Sequence, residues 1–291
     1  IESFLIDYYL SPDTFLEFIW IPTLKPSLFP KIEVPLLPGD EASYISDSDK
    51  IIMPEKNLKN SIYGLKLKGT LSNIDYSFSY WRGYSYLPLP MKIDLFPTAS
   101  YENGIKKELF YPRMEILGFD LAGEVFSIGY WAEFALFFPE EVITSIYIHP
   151  VIFNGQSLAI EQKETALKDE AYLKATVGFD YTFVNGLYLN LQYSRGLPFE
   201  IGKDNIGNYL FVQLEKKYLE DRIGLKLNGA FGWIKEFKEN YGYMIQPSLA
   251  YHPMDNLEFE IGTTFFEGKG ETILASWKNW DYAFLRTKVY F

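Results

Sequence analysis

The sequence predicts an all-β fold: a transmembrane antiparallel up-and-down β-barrel of about 12–14 strands, with short periplasmic turns and long extracellular loops. Three observations carry that expectation. Apolar and polar residues alternate with period two over most of the chain. Connections between the alternating segments are by turns short and long. Aromatic residues make up 18% of a chain that is also 22% charged.

Composition narrows the class first. Phe (24) and Tyr (23) carry most of the aromatic content, and mean hydropathy is near zero. No run of roughly eighteen apolar residues is present, so no spanning helix is predicted. An aromatic-rich chain of average polarity fits strands with one face in lipid and the other in water. There are no cysteines, which excludes disulfides, thiolate catalysis and every Cys-based metal or haem site. The net charge of -11 and the lack of a basic stripe exclude a nucleic-acid partner. The opening Ile1-Glu2-Ser3 has no signal-peptide pattern.

The alternation is clearest from Tyr172 onward. Leu173, Ala175, Val177, Phe179, Tyr181 and Phe183 share one face, and Lys174, Thr176, Gly178, Asp180 and Thr182 the other. Asn185-Gly186 reads as a tight two-residue hairpin turn, returning into Leu187, Leu189, Leu191 and Tyr193. Leu210 to Glu215, Ile223 to Phe231, Tyr243 to His252 and Leu257 to Phe265 repeat the pattern. Earlier hairpins pair Tyr63 to Leu71 with Ile74 to Tyr84, and Glu115 to Gly123 with Gly129 to Phe137. Short connections fall near Pro12, Ser72, Val125, Asn185, Glu220 and Met254. Long ones fall at about 23–61, 85–113, 138–170, 196–207, 233–242 and 267–279, the asymmetry of outer-membrane barrels.

Phe291 ends an alternating last strand and resembles the signal by which outer-membrane barrels are recognised for insertion. Adding strands at 3–10 and 14–22 gives about thirteen, whereas a single-chain bacterial barrel has an even number. Either residues 1–10 are not a barrel strand, or upstream strands lie outside this chain. The odd count and the front segment lead to the expectation that 14–22 does not close the barrel by a full ladder with 280–291, and that the last strand closes on residues 3–10 or on a segment outside this chain; a twelve-stranded barrel with residues 1–10 as a tether would instead close through 14–22. The whole of 1–291 reads as one barrel domain.

The front of the chain contains Tyr8-Tyr9-Leu10, Leu16-Glu17-Phe18-Ile19-Trp20-Ile21-Pro22 and Lys25-Pro26-Ser27-Leu28-Phe29-Pro30. Over residues 4–40 this resembles a poorly characterised family of Gram-negative outer-membrane barrels, a domain of unknown function with some members linked to efflux of the resistance-nodulation-division type. The family's preceding Gly-Arg-Gln and Trp-Gly-rich stretch is absent. The resemblance implies a C-terminal barrel portion, a bacterial outer-membrane location and a periplasmic or efflux partner. It implies no catalytic residues.

The residues themselves point the same way on catalysis. His149-Pro150-Val151 and His252-Pro253-Met254 match neither a His-x-Ser lipase pair nor an Asp-x-His protease arrangement, and read as a loop and a periplasmic-turn histidine. Asp40-Glu41 and Asp47-Ser48-Asp49 read as a solvated acidic loop, since they lack the glycine-centred spacing of a calcium loop. Gly202 and Gly207 are not followed by Lys-Ser or Lys-Thr, so no phosphate loop is implied. No catalytic residue, metal site or cofactor is predicted.

The informative charges are Lys66, Lys68, Asp75, Asp120, Glu133, Lys174, Asp180, Glu215, Lys226, Glu258, Glu260, Arg286 and Lys288. All fall opposite the apolar stripe, and charge is costly in lipid, so they are expected to line a pore. A wetted channel and a salt-bridged plug both fit; long loops such as 138–170 are able to constrict the lumen. The expected function is a porin-like channel for small solutes, with a sheath or receptor barrel as the alternative and a lipid-active enzyme last. Expected partners are the bilayer, lipopolysaccharide and the barrel-assembly machinery.

Overall fold

The structure, a computed structural model, describes residues 3–25, 49–96, 105–153 and 156–290, without the side chains of 150–153 and 156–159. Its eighteen described strands are β1 (Phe4–Ser11), β2 (Thr14–Ile21), β3 (Lys50–Ile52), β4 (Ile62–Leu71), β5 (Ile74–Tyr84), β6 (Leu89–Leu95), β7 (Ile105–Phe110), β8 (Arg113–Val125), β9 (Ile128–Pro139), β10 (Val142–Phe153), β11 (Gln156–Leu167), β12 (Tyr172–Thr182), β13 (Leu187–Arg195), β14 (Asn208–Tyr218), β15 (Ile223–Trp233), β16 (Tyr241–Met254), β17 (Leu257–Lys269) and β18 (Tyr282–Val289). One short helix, α1 (Ile273–Ser276), sits between β17 and β18.

Thirteen strands form one antiparallel up-and-down sheet in the order β1-β2-β4-β5-β8-β9-β12-β13-β14-β15-β16-β17-β18. This is the predicted fold class, with a qualification about closure. β2 is flanked by β1 and β4, so it makes no ladder with β18, as expected. β1 is a strand of the sheet, which removes the reading of residues 1–10 as something else. Among the described residues no ladder joins β1 to β18, and both are edges.

The short turns fall at 12–13, 72–73, 126–127, 183–186, 219–222 and 255–256, all at one end of the sheet. At 126–127 both residues are left-handed (φ 50° and 62°), which matches the twist of the flanking strands. The turn near Asn185 corrects the sequence reading. Gly186 N–H donates to Phe183 O (2.8 Å) and Phe183 N–H to Leu187 O (2.8 Å), while only Gly186 has positive φ, at 79°. The loop is Val184-Asn185-Gly186, a turn followed by a left-handed residue, rather than a two-residue turn on Asn185-Gly186.

Three of the long connections carry strands of their own. Segments of the first three form a second, five-stranded sheet in the order β11-β10-β6-β7-β3. Two of its pairings, β10 with β6 and β3 with β7, are parallel and join segments far apart in the chain. The sequence reading missed this sheet.

The main sheet has no conventional core. Buried apolar residues gather at the long-loop end, among them Ile62, Met114, Tyr172 and Tyr209 of the main sheet and Leu109, Tyr111, Val142, Leu167 and Ile206 outside it. Tyr172 stacks on Phe137 (4.9 Å, 1°) and donates to Met114 Sδ (3.7 Å). The apolar face of the strands is exposed instead, as at Leu225 (48%) and Ile261 (58%). An exposed apolar face of this extent marks an interaction surface.

Candidate functional site

Cross-strand register places all thirteen predicted charges on one face. Lys66 lies opposite Glu17, Asp120 opposite Ser77 and Glu133, Lys174 opposite Ala135, and Asp180 opposite Asn190 and Gly129. Glu215 lies opposite Lys226, Glu258 opposite Lys288, and Glu260 opposite Arg286. Lys68 and Asp75 belong to the same rows through Ser77 and Ala122. Leu189, Leu191, Leu225, Leu227, Phe259 and Ile261 hold the opposite face by the same alternation.

The densest group spans β15 to β18. The Glu258 carboxylate accepts from Lys288 Nζ at 2.9 Å, forms an ion pair with Lys226 Nζ at 3.5 Å, and contacts His252 Nε2 at 3.1 Å. The Glu260 carboxylate accepts from Ser248 Oγ at 2.7 Å and Arg286 at 3.4 Å, with Lys288 Nζ 3.9 Å away. Both acids are nearly sealed from solvent (4% and 5% exposed), so their charge is tolerable only because these donors surround it. Beside this group runs a rung of neutral polar groups: Asn228 donates to Gln246 (3.4 Å) and Gln246 to Thr264 (2.8 Å).

The other half of the face is more sparsely paired. Asp120 accepts from Ser77 and forms an ion pair with Lys66 (3.2 Å). Thr70 donates to Asp75 (2.6 Å), and Lys68 lies over the Phe15 ring (5.5 Å). Lys174 Nζ donates to the carbonyls of Leu197 (2.7 Å) and Pro198 (3.1 Å) in the loop 196–207. Among the described residues Glu133, Asp180 and Glu215 make no ion pair.

That loop is one of two connections folded onto the polar face. It is closed by Glu200, whose carboxylate accepts from Leu197 N–H (2.8 Å), Gly207 N–H (3.1 Å) and the Tyr209 hydroxyl. Burial, then the nearby Glu200 charge, pushes the Tyr86 hydroxyl up to about 12. The second connection carries α1. Side chains added at Gly242 or Gly268 would meet α1 at once: a Cβ at Gly242 would lie 2.5 Å from Ala275 N, and one at Gly268 2.8 Å from Ala275 Cβ. Gly232 adjoins Leu274 at 3.4 Å from the same construction. These glycines sit in one cross-strand row, so their lack of side chains makes a seat in which Leu274 is buried to 6% exposure.

Sequence reasoning did not single out Glu17, Ser248 or Glu200. Glu17 shares the face of Lys66 and was legible by alternation, whereas nothing local marks Glu200 as a loop clasp. Both histidines are corrected. His252 is in β16 within the Glu258 group, not in a turn. His149 is in β10, stacked on Phe96 (3.9 Å, 14°) and bonded to Asp94 (3.1 Å). Asp40, Glu41, Asp47 and Phe291 lie outside the described residues; Asp49 accepts from Lys107 N–H (2.9 Å). Among the described residues no group of three or more metal-ligating side chains is present.

No family model matches the chain, and no curated protein matches it at a significant level.

Proposed function

We propose that the thirteen-stranded sheet is the wall of an outer-membrane β-barrel of the kind the front segment resembles, and that its polar face lines a narrow aqueous path for small solutes. One observation carries this reading: the apolar face bears no charge between its rims. Its charges stand near the strand ends, with Arg82, Glu115, Arg195 and Glu267 toward the long loops and Lys216 toward the short turns. From Glu115 to Val125 on β8 is ten residue steps, about 33 Å along the strand at ~3.3 Å each and about 25 Å along the normal at a tilt of ~40°. That is the height of the hydrocarbon band of such barrels. A row of rings marks the long-loop rim: Tyr193 and Trp233 (6.4 Å), Phe231 and Trp233 (5.6 Å), and Phe237 and Tyr241 (6.3 Å). Rings at this level suit the headgroup region.

The ion groups of the polar face leave a wall of mixed sign, and the loop 196–207 and α1 narrow the mouth. The path is therefore small and weakly selective, with cation preference at low salt set by loop acids such as Asp40, Glu41, Asp47 and Asp49. Planar-bilayer recording tests it. Small unitary steps are expected, with a reversal potential that favours cations at low salt and fades as salt rises. No conductance from properly inserted protein would overturn the channel reading. It would leave the alternative of a receptor or sheath, for which the five-stranded sheet offers a docking platform.

A further inference from the structure

We propose that the polar face carries a saccharide subsite, in which the Trp131 indole is the platform and a run of carboxamides supplies the hydrogen bonds. The inference rests on the aqueous-path reading above and names a substrate class for it. Trp131 belongs to β9, and register sets it opposite Gly178 of β12. A Cβ at Gly178 would lie 2.5 Å from Trp131 Cε2 and 2.8 Å from its Nε1. The indole therefore lies across the next strand, in a place that only a glycine leaves open. Its Nε1 donates to Gln192 Oε1 at 3.3 Å, one strand further on, which fixes the direction of the ring. The ring is half-buried: the wall covers one side and the other meets the aqueous path.

The surroundings select the ligand. From Trp131 the cross-strand row runs through Gly178, Gln192, Phe211, Ala230 and Met244 without a charge. The next row toward the short turns holds Asn190, Gln213, Asn228 and Gln246. Five carboxamides thus stand on the four adjoining strands β13 to β16, all of them half-buried. A carboxamide both donates and accepts, as a sugar hydroxyl does. The indole offers an apolar surface for the C–H face of a pyranose ring, beside a polar tip that is already engaged. Glu133, two residues along β9, and Asp180, two residues beyond Gly178 on β12, add carboxylate acceptors for hydroxyls at the flanks of the ring. From β9 to β14 are three strand spacings, about 14 Å at ~4.8 Å each, which is room for a short oligosaccharide. The ion group of Glu258 and Glu260 lies outside both rows.

Maltotriose and cellotriose are the probes, titrated by calorimetry into the folded protein in detergent and added separately during planar-bilayer recording. Saturable binding of at least one is expected, with brief interruptions of the current. Trp131→Ala should weaken binding about 2- to 10-fold, the value of one aromatic contact, and Trp131→Phe by less. Gly178→Ala keeps the indole but pushes it off its seat, and should weaken binding likewise; it decides the matter if Trp131→Ala gives no folded band on a gel. Folded protein that binds neither sugar, or binds equally well with Trp131→Ala and Gly178→Ala, would overturn the proposal. Conductance that neither sugar interrupts, from protein that binds neither in detergent, would overturn it and leave the channel reading standing. Binding without conductance would uphold the subsite and reject the channel. Tighter binding of tetraethylammonium than of either sugar would make Trp131, Glu133 and Asp180 an organic-cation site instead and end the saccharide assignment.

Discussion

Replacing Gly242 with valine strikes the seat of α1 without disturbing the strand that bears it. Gly242 has no left-handed φ, and valine is favoured in strands, so β16 itself should accept the change. The obstacle is on the polar face, where the new Cβ would lie 2.5 Å from the backbone nitrogen of Ala275 and 2.8 Å from the carbonyl carbon of Leu274. Backbone is not a flexible neighbour, so α1 must lift. Lifting returns Leu274 to solvent from 6% exposure, a loss of about 1.5–3 kcal/mol. It also strips packing from Phe266, whose ring meets Trp277 edge-on at 5.5 Å. At ~1.4 kcal/mol per decade, local opening should rise roughly 10- to 100-fold. Amide exchange reads this directly. Ala275 N–H donates to Thr272 Oγ1 (3.1 Å), Ser276 N–H to Thr272 O (3.1 Å) and Lys278 N–H to Ala275 O (3.1 Å). Those three amides should lose protection by that factor while amides of β12 and β13 keep theirs. Unchanged protection at residues 275–278 would refute the glycine-seat argument.

Two further outcomes follow from the ion groups. Glu258→Gln leaves Lys226, Lys288 and His252 around a neutral side chain at a nearly sealed position, so folding stability in detergent should fall by about 3 kcal/mol; a gel assay for the folded band should show earlier melting, whereas Glu220→Gln in a short turn should change nothing. In the second sheet, burial of Asp94 raises its pKa, but the bonds from Lys92 (2.7 Å) and His149 (3.1 Å) outweigh it and hold the carboxyl below the usual range. Its stabilisation is therefore present above the ordinary carboxyl pKa of about 3.9 and is lost as pH falls through the lower folded value. Pepsin cleavage within residues 89–95 and 142–149 should rise steeply below about pH 4, and Asp94→Asn should flatten that rise.

The strands were legible because a face set by period two leaves its mark on every second residue. Lys226 between Leu225 and Leu227, and Glu260 between Phe259 and Ile261, fix their register without knowledge of the partner strand. Pairing was not legible to the same degree. Alternation shows that Glu258 and Lys288 share a face, but only register sets them opposite each other. The five-stranded sheet was hidden because its parallel contacts, such as Ser145 with Lys92 and Ile51 with Leu109, join segments with no local signal for each other. The seat of α1 was hidden for a related reason: Gly232, Gly242 and Gly268 are far apart in sequence and become one row only when β15, β16 and β17 align. The turn at 183–186 shows a third limit, since Asn-Gly marks a hairpin yet leaves open which residues occupy its centre.

The central claim is that one face of the sheet meets lipid and the other water, and single cysteines along β15 test it most directly. With the chain free of native cysteine, positions 225 to 231 are changed one at a time in membrane-inserted protein. Each is then challenged with a lipid-confined and a water-soluble maleimide. Leu225, Leu227, Gly229 and Phe231 should take the lipid reagent, and Lys226, Asn228 and Ala230 the aqueous one, in strict alternation. Aqueous labelling of Leu225, Leu227 and Phe231 as strong as that of Lys226 and Asn228 would contradict the account.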